Sequence, residues 1–417
     1  MNVFIVGAGA SASLSPRVPV MNNFFRLAAE RITVEKKEYW FPFTFTDRAR
    51  LFSKNVELER LADEILLLNS EIEDMENKNN HVPRQLKDHL DEFIQEYRSG
   101  FLADQHRAAS NLESLFDKFL EHATVTEDDE SLLRFRYLIS ALFYDLSREL
   151  VFEFKESAYM YLAEFLKEKK KKENIFISFN YETWLEQALT HHQLFDPLTG
   201  YSKYAPFSYC LDVDSLPGDD LAIELRPIKP IGESMYVLKP NGSLSWWLAD
   251  WSYAGDNEAP RRQLFVSLSS DGKVAQYRAP HIMNIAEPGS RSLLAFAQPH
   301  IYPPTVLKAR NVELDWNIDR QILETLSEAS TFIIVGWSMP DGDVHFFNLL
   351  REALIERMKA GCQPPRLIIC DLVTEGSDAR FRYLKYRLAS SFRAIHVVDW
   401  PKGFSKQFVD FLSRYLN

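Results

Sequence analysis

The 417-residue chain has only three cysteines, Cys210, Cys362 and Cys370, far apart and with no C-x-x-C pair. That excludes a disulfide framework and a four-cysteine zinc ribbon, and makes a reducing compartment, the cytoplasm, the expected location. Long hydrophobic runs are also missing. The longest are strand length, far short of the roughly 18 to 20 residues of a membrane helix, so no membrane partner is expected. The opening Met1-Asn2-Val3-Phe4-Ile5-Val6 has no basic leader before it and reads as part of the fold. Positive charge is in deficit: 48 Lys plus Arg against 59 Asp plus Glu gives a net charge of −11, so direct nucleic-acid binding is not expected. There is no G-x-x-x-x-G-K-[ST] segment for ATP and no H-E-x-x-H helix for zinc.

What the chain does have is a set of short apolar runs separated by helical patterns. Residues 3–6, 175–179, 236–239, 332–335, 367–370 and 395–398 read as six strands, several apolar throughout as in buried parallel sheets. Their alternation with helices predicts an α/β fold: a doubly wound, mostly parallel Rossmann-like sheet of about six strands. Residues 51–172 differ. Leu61, Ile65, Leu68 and Ile72, then Leu112, Leu115, Phe116 and Phe119, step at helical spacing, so a large all-helical insertion is expected there. The run Lys169 to Lys172 at its end reads as a solvated face. The predicted organisation is one Rossmann domain of residues 1–50 and 173–417, with 51–172 inserted and 201–304 a mixed β and loop excursion.

Ligands of such sheets bind beyond the carboxyl ends of the strands, so the residues just past each strand are the site candidates. After the first strand, Gly7-Ala8-Gly9-Ala10-Ser11-Ala12 fits G-x-G-x-x-A, whose small residues let backbone approach a pyrophosphate and aim amides at it. A tight turn without a ligand would use the same residues. After the second come Asn180 and Glu182, an amide and a carboxylate for the crevice; Asn180 as a simple helix cap is the alternative. Pro240-Asn241-Gly242-Ser243 succeeds the third strand, and Gly336-Trp337-Ser338-Met339-Pro340 with Asp343 succeeds the fourth. Asp371 ends the fifth, where an acidic residue can hold ribose hydroxyls.

As a set these motifs resemble the SIR2-like domain of bacterial NAD-consuming antiphage defence proteins, a sirtuin branch lacking the zinc module. Val6 to Ser11 with Pro19 is similar to that family's opening glycine motif, which cradles the phosphates. Ser178-Phe179-Asn180-Tyr181-Glu182 with Glu186 resembles its Asn-Tyr-Asp signature, Glu182 standing where aspartate is usual. Residues 335–340 with Asp343 resemble its late Gly-Tyr-Ser-Leu-Pro motif.

The resemblance implies Asn180 and Asn241 as catalytic positions. It implies Gly7, Ala8, Gly9, Ser11, Pro19, Glu182, Gly336, Ser338, Asp343 and Asp371 as NAD-binding ones. NAD would be the substrate, with no metal. Lys239-Pro240-Asn241-Gly242-Ser243 departs from the family, because Asn241 occupies the place of the catalytic histidine, and an amide is no base at neutral pH. Such a loss costs on the order of 10²- to 10⁴-fold where a base is needed. Glycosidic cleavage expels neutral nicotinamide and tolerates it better than acyl chemistry.

The implied activity is NAD glycohydrolysis. The alternative is a catalytically weakened NAD-binding or assembly subunit. His300 and His345 are candidate replacement bases, with ordinary surface or core histidines as the competing reading. The family also implies a homo-oligomer, or a partner such as a HerA-like ATPase or a short Argonaute.

Overall fold

The computed structural model describes residues 1–20, 23–33, 35, 56–78, 81–107, 130–168, 174–203, 210–212, 222–226, 235–252, 261–269, 274, 283–286, 293–301, 318–340, 343–373, 378–394 and 396–416. The helical pattern at residues 112–119 and the lysine run 169–172 lie outside them. The chain divides into two compact units, Met1–Val18 with Phe143–Asn417, and Pro19–Leu142.

In the first unit six strands form one parallel sheet: β1 (Asn2–Val6), β2 (Asn174–Ser178), β5 (Tyr236–Leu238), β10 (Thr331–Val335), β11 (Arg366–Cys370) and β12 (His396–Trp400). The order is β12-β11-β10-β1-β2-β5. From β1 the chain moves one way to β2 and β5, then returns to β10 on the other side of β1 and continues outward. This reversal makes the sheet doubly wound, since right-handed crossovers in opposite directions put their helices on opposite faces. The six runs read from the sequence are these strands, displaced by a residue or two at their ends.

Alternate strand residues share a face. Val3, Ile5, Ile177, Phe332, Ile334, Leu367 and Ile369 pack in one cluster with residues of α9 (Ile318–Glu328), α10 (Val344–Lys359) and α11 (Asp378–Ser391), among them Ile322, Phe346, Leu350 and Leu388. Phe4 and Phe176, one residue out of phase, stack on each other with ring centroids 4.8 Å apart. Burial on both faces is why these strands read as continuous apolar runs.

Earlier elements of the unit are the one-turn α1 (Ala8–Ala12), α6 (Val151–Lys155), α7 (Ala158–Glu168) and α8 (Trp184–His191). A last helix, α12 (Lys406–Tyr415), packs on α7. The section expected to be a mixed β and loop excursion holds a closed barrel, ordered β3-β4-β8-β9-β6-β7. Its strands are β3 (Cys210–Asp212), β4 (Ala222–Arg226), β6 (Gly242–Ser252), β7 (Arg261–Leu268), β8 (Met283–Ala286) and β9 (Leu293–Ile301). β6 starts four residues after β5 ends, so one short turn carrying Asn241 joins sheet and barrel.

The second unit contains α2 (Phe24–Thr33), α3 (Val56–Asn77), α4 (Arg84–Arg107) and the first part of α5 (Glu130–Glu149). Leu58, Leu61, Ala62 and Ile65 form a buried stripe on α3, as the helical spacing requires. α4 packs against both α2 and α3. No helix among the described residues is long and apolar enough to cross a membrane.

A tightly constrained backbone contact lies between the turns after β1 and β10. Gly336 has φ +59°, in the left-handed region that favours glycine, and a Cβ there would overlap Ala10 N and the carbonyl carbon of Gly9. Gly336→Ala is therefore expected to lose more than ~3 kcal/mol of stability, strain and backbone displacement together, as read from urea denaturation.

Candidate functional site

The sheet register brings the strand ends level: Val6 pairs with Ser178 on one side and Val335 on the other, and Val335 pairs with Cys370. The turns that leave these strands therefore collect at one edge of the sheet. Gly7 N donates to Val335 O at 3.0 Å, Gly9 N to Gly336 O at 2.9 Å, and Gly336 N to Cys370 O at 2.9 Å. A Cβ on Gly7 would stand 2.6 Å from Trp337 Cα, and one on Gly9 2.9 Å from Gly336 O. Gly7 and Gly9 are the glycines of the motif expected to cradle a phosphate. Their amides are engaged within the fold, and their size is required by the packing of turn on turn. Ala8 is half-buried beside them.

Asn180 leaves β2 through Phe179, whose N–H donates to Val6 O at 2.9 Å. Its Nδ2 donates to Gly7 O at 3.1 Å, Ser11 Oγ at 2.9 Å and Glu182 Oε1 at 3.1 Å, two hydrogens shared among three acceptors. A carbonyl and a carboxylate only accept, so the amide can face only this way. Its Oδ1 is buried with no hydrogen-bond partner among the described residues.

Ser11 Oγ donates to Glu182 Oε1, and Tyr159 OH lies 2.8 Å from Ser11 Oγ. While Glu182 is ionised, the serine hydroxyl donates to the carboxylate and the phenol of Tyr159 is the donor to Ser11. Burial, and then the charge of Glu182, push the Tyr159 pKa well above its ordinary value, so the phenol keeps its proton. The chain of donors runs Tyr159 to Ser11 to Glu182.

Glu182 is 3% exposed, and its Oε2 has no hydrogen-bond partner among the described residues. Burial lifts its pKa to about 7 against the opposing pull of Lys239 and the Ser11 hydrogen bond, with Glu186 adding to the rise and the Asn180 bond lowering it. The ammonium of Lys239 sits 2.8 Å from Glu186 Oε1, both side chains fully buried, and donates to the main-chain oxygen of Glu182 at 2.8 Å. Tyr201 OH reaches Glu186 Oε1 at 3.5 Å and Ser245 Oγ at 3.1 Å, and Ser243 Oγ is 3.0 Å from Ser245 Oγ.

Asn241 is 2% exposed and lies between two anchors to this segment, Lys239 and Leu244, whose N–H donates to Tyr181 O at 2.9 Å. Gly242, at φ +78°, holds the turn so close to β9 that a Cβ would overlap His300 O.

Of the other candidates, Asp343 accepts from Trp337 Nε1 at 2.9 Å, and Trp337 stacks flat on Phe179 with centroids 5.1 Å apart. Asp343 thus steadies the residue beside Asn180. Ser338 is exposed. Asp371 accepts at Oδ1 from Leu372 N, closing its own turn. Pro19 belongs to the second compact unit. His345 Nε2 pairs with Asp319 Oδ1 at 2.9 Å, and the ring of His300 stacks on Trp246, so both histidines have structural engagements.

Sequence reasoning misses Lys239, Tyr159 and Tyr201 as polar members of the site, and misses the pairing of Glu186. A lysine closing an apolar strand is the one available signal; nothing local marks Tyr159.

No family model matches the chain, and no curated protein is similar to it. Among solved structures, a Sir2 homologue variant in complex with ADP-ribose aligns with 62% of this chain and 65% of its own, at 11% identity and a TM-score of 0.28. A SIR2 bound to an inhibitor, 2'-O-acetyl-ADP-ribose and a deacetylated peptide aligns with 66% of this chain and 78% of its own, at 13% identity and a TM-score of 0.27. The alignment spans just under two thirds of the first of these chains. The doubly wound α/β fold is established by the strand order itself.

The buried charges set the pH dependence and the stability of the site. The pKa of Glu182 is raised in the fold from 4.5 to about 7, so the stability it contributes is complete below about 4.5 and is lost as pH rises through about 7. Glu182→Gln should therefore stabilise the protein, by on the order of 1 to 3 kcal/mol, at about pH 8 relative to about pH 5, as thermal unfolding at the two values would show. Lys239→Met should cost roughly 3 to 5 kcal/mol in urea denaturation, because it strands Glu186 without a counterion. Adding Glu186→Leu should recover part of that loss.

Proposed function

We propose that the chain is an NAD glycohydrolase, cleaving the bond between nicotinamide and ribose to release nicotinamide and ADP-ribose. The observation that carries this reading is that two of the buried acceptors without a hydrogen-bond partner among the described residues, Asn180 Oδ1 and Glu182 Oε2, lie together at the carboxyl edge of β2. Their side chains are joined by a hydrogen bond and lie beside β1, where the strand order reverses and doubly wound sheets bind nucleotides. Two such acceptors call for donors, which a ligand's ribose hydroxyls or carboxamide NH2, or a water, would supply.

The residues fit the chemistry. Cleavage builds positive charge on the ribose, and a fixed amide oxygen with a carboxylate can stabilise it, while nicotinamide leaves neutral and needs no acid. Gly7, Ser11 and the Gly336 turn hold Asn180 and its surroundings. Ala8, Ser338, Asp343, Asp371 and Pro19 complete the candidate binding set on the strength of the motif resemblance. That resemblance also supports an NAD-depleting role in antiphage defence, in the cytoplasm, as a homo-oligomer or with a HerA-like ATPase or short Argonaute. The buried Asn241 favours a second reading, an NAD-binding or assembly subunit without turnover.

Nicotinamide release by purified protein at several concentrations tests the proposal. Wild-type turnover is expected, with Asn180→Ala lowering kcat on the order of 10²- to 10³-fold. Binding of ADP-ribose without any release would support the second reading, and neither binding nor release would overturn both.

A further inference from the structure

The glycohydrolase reading leaves a gap that the site's own geometry addresses. A water attacking the ribose must lose a proton, and Asn241, an amide, cannot take it. Among the side chains that surround the Asn180 cluster, the neutral phenol of Tyr159 and the hydroxyl of Ser11 are both donors in the chain that ends on Glu182. Lys239 is a cation paired with Glu186. The two histidines are held elsewhere, His345 by Asp319 and His300 against Trp246.

That leaves the two carboxylates. Glu186 has its counterion in direct contact, receives Tyr201 as well, and is fully buried. Glu182 meets Lys239 through its main-chain oxygen, and among the described residues no cation touches its carboxylate. Its Oε1 takes the bonds from Ser11 and Asn180; its Oε2, like that of Glu186, has no hydrogen-bond partner among the described residues, so what separates the two carboxylates is the cation in contact with Glu186. Glu182 and Asn180 also retain 3% and 7% exposure, where Glu186 has none.

We propose that Glu182 is the proton acceptor of this site, filling the place that Asn241 cannot. Its Oε2 takes a proton from the attacking water as the water oxygen bonds to C1′ of the ribose. The bond from C1′ to the nicotinamide nitrogen breaks, and its electron pair leaves with the neutral base. The proton then passes to solvent, so NAD and water give nicotinamide, ADP-ribose and one proton, and the carboxylate is restored. Asn180 fixes the carboxylate from one side and Ser11, backed by Tyr159, from the other. The groups that face it, Ser11 from α1, Tyr159 from α7, Asn180, Glu186 from α8 and Lys239 from the end of β5, leave it with a pKa of about 7, where a base both accepts and releases protons at cellular pH.

This rests on the glycohydrolase reading, and the test separates the two. In nicotinamide release, Glu182→Gln should lower kcat on the order of 10²-fold or more. Wild-type kcat should rise with pH through about 7, and that limb should vanish in Glu182→Gln; Glu182→Asp should restore part of the rate with the limb displaced. A Glu182→Gln enzyme within about threefold of wild type, or one that keeps the limb, overturns the proposal. If the wild type releases no nicotinamide, the glycohydrolase reading fails, and infrared titration of glutamate-labelled protein decides the proton acceptor alone. A protonated-carboxyl band that titrates near neutrality and is absent from Glu182→Gln supports it, and a Glu182 ionised from about pH 5 to 9 overturns it.

Discussion

The arrangement of the candidate site depends on one buried cation. Lys239 ends the edge strand β5 and is wholly withdrawn from water, a position an ammonium holds only when its charge is matched and its donors are used. It meets both needs by reaching Glu186 on α8 and the main-chain oxygen of Glu182. The segment after β2 and the helix that directly follows it are thereby fixed to the turn through Asn241 into the barrel, more than fifty residues on in the chain. The same choice of partner has an electrostatic consequence. The ammonium is in contact with the Glu186 carboxylate and pulls on that of Glu182 only from further off, so at Glu182 burial prevails over that pull and the pKa rises to about 7.

The other fixed point is steric. β1 lies at the centre of the sheet between β10 and β2, and the turns after β1 and β10 are pressed together at backbone distance. Glycines at 7, 9 and 336 permit that approach, and the approach in turn presents Gly7 O to Asn180. Trp337, next along the second turn, lies flat on Phe179 and is held by Asp343. Asn180 is therefore positioned by the glycine turn through a hydrogen bond and by the tryptophan turn through stacking on its neighbour.

The sheet is legible in the sequence because its strands are covered on both faces, which leaves unbroken apolar runs such as Thr331–Val335 that stand out between helical patterns. The barrel is not. Trp246 and Trp247 are adjacent on β6 and both buried, so the alternation that marks a half-exposed strand is absent there. Ser11, Asn180 and Glu182 can be found because short motifs carry them. Glu186 reads as part of a motif and not as the partner of Lys239, since an ion pair between a helix and a distant strand end leaves no local pattern. Gly7 and Gly9 show a deeper ambiguity: a glycine required by a neighbouring turn and a glycine required by a phosphate look the same in a sequence, and only the backbone contacts to Gly336 separate them.

The two positions at which the sequence departs from the motifs it resembles, Asn241 in place of histidine and Glu182 in place of aspartate, fall within one connected network. Asn241 removes an ionisable group from the turn that Lys239 and Leu244 tie to the Asn180 segment. Glu182 places a carboxylate, one methylene longer than aspartate, where Ser11 and Asn180 can both reach the same oxygen and leave the other without a partner among the described residues. A buried carboxylate of this kind lowers stability wherever it is ionised. A sequence under selection for stability alone would replace it with an amide of the same shape, which could still accept both hydrogen bonds. The proposed role as proton acceptor accounts for a carboxylate at this position while the ammonium of Lys239 is in contact with Glu186 instead.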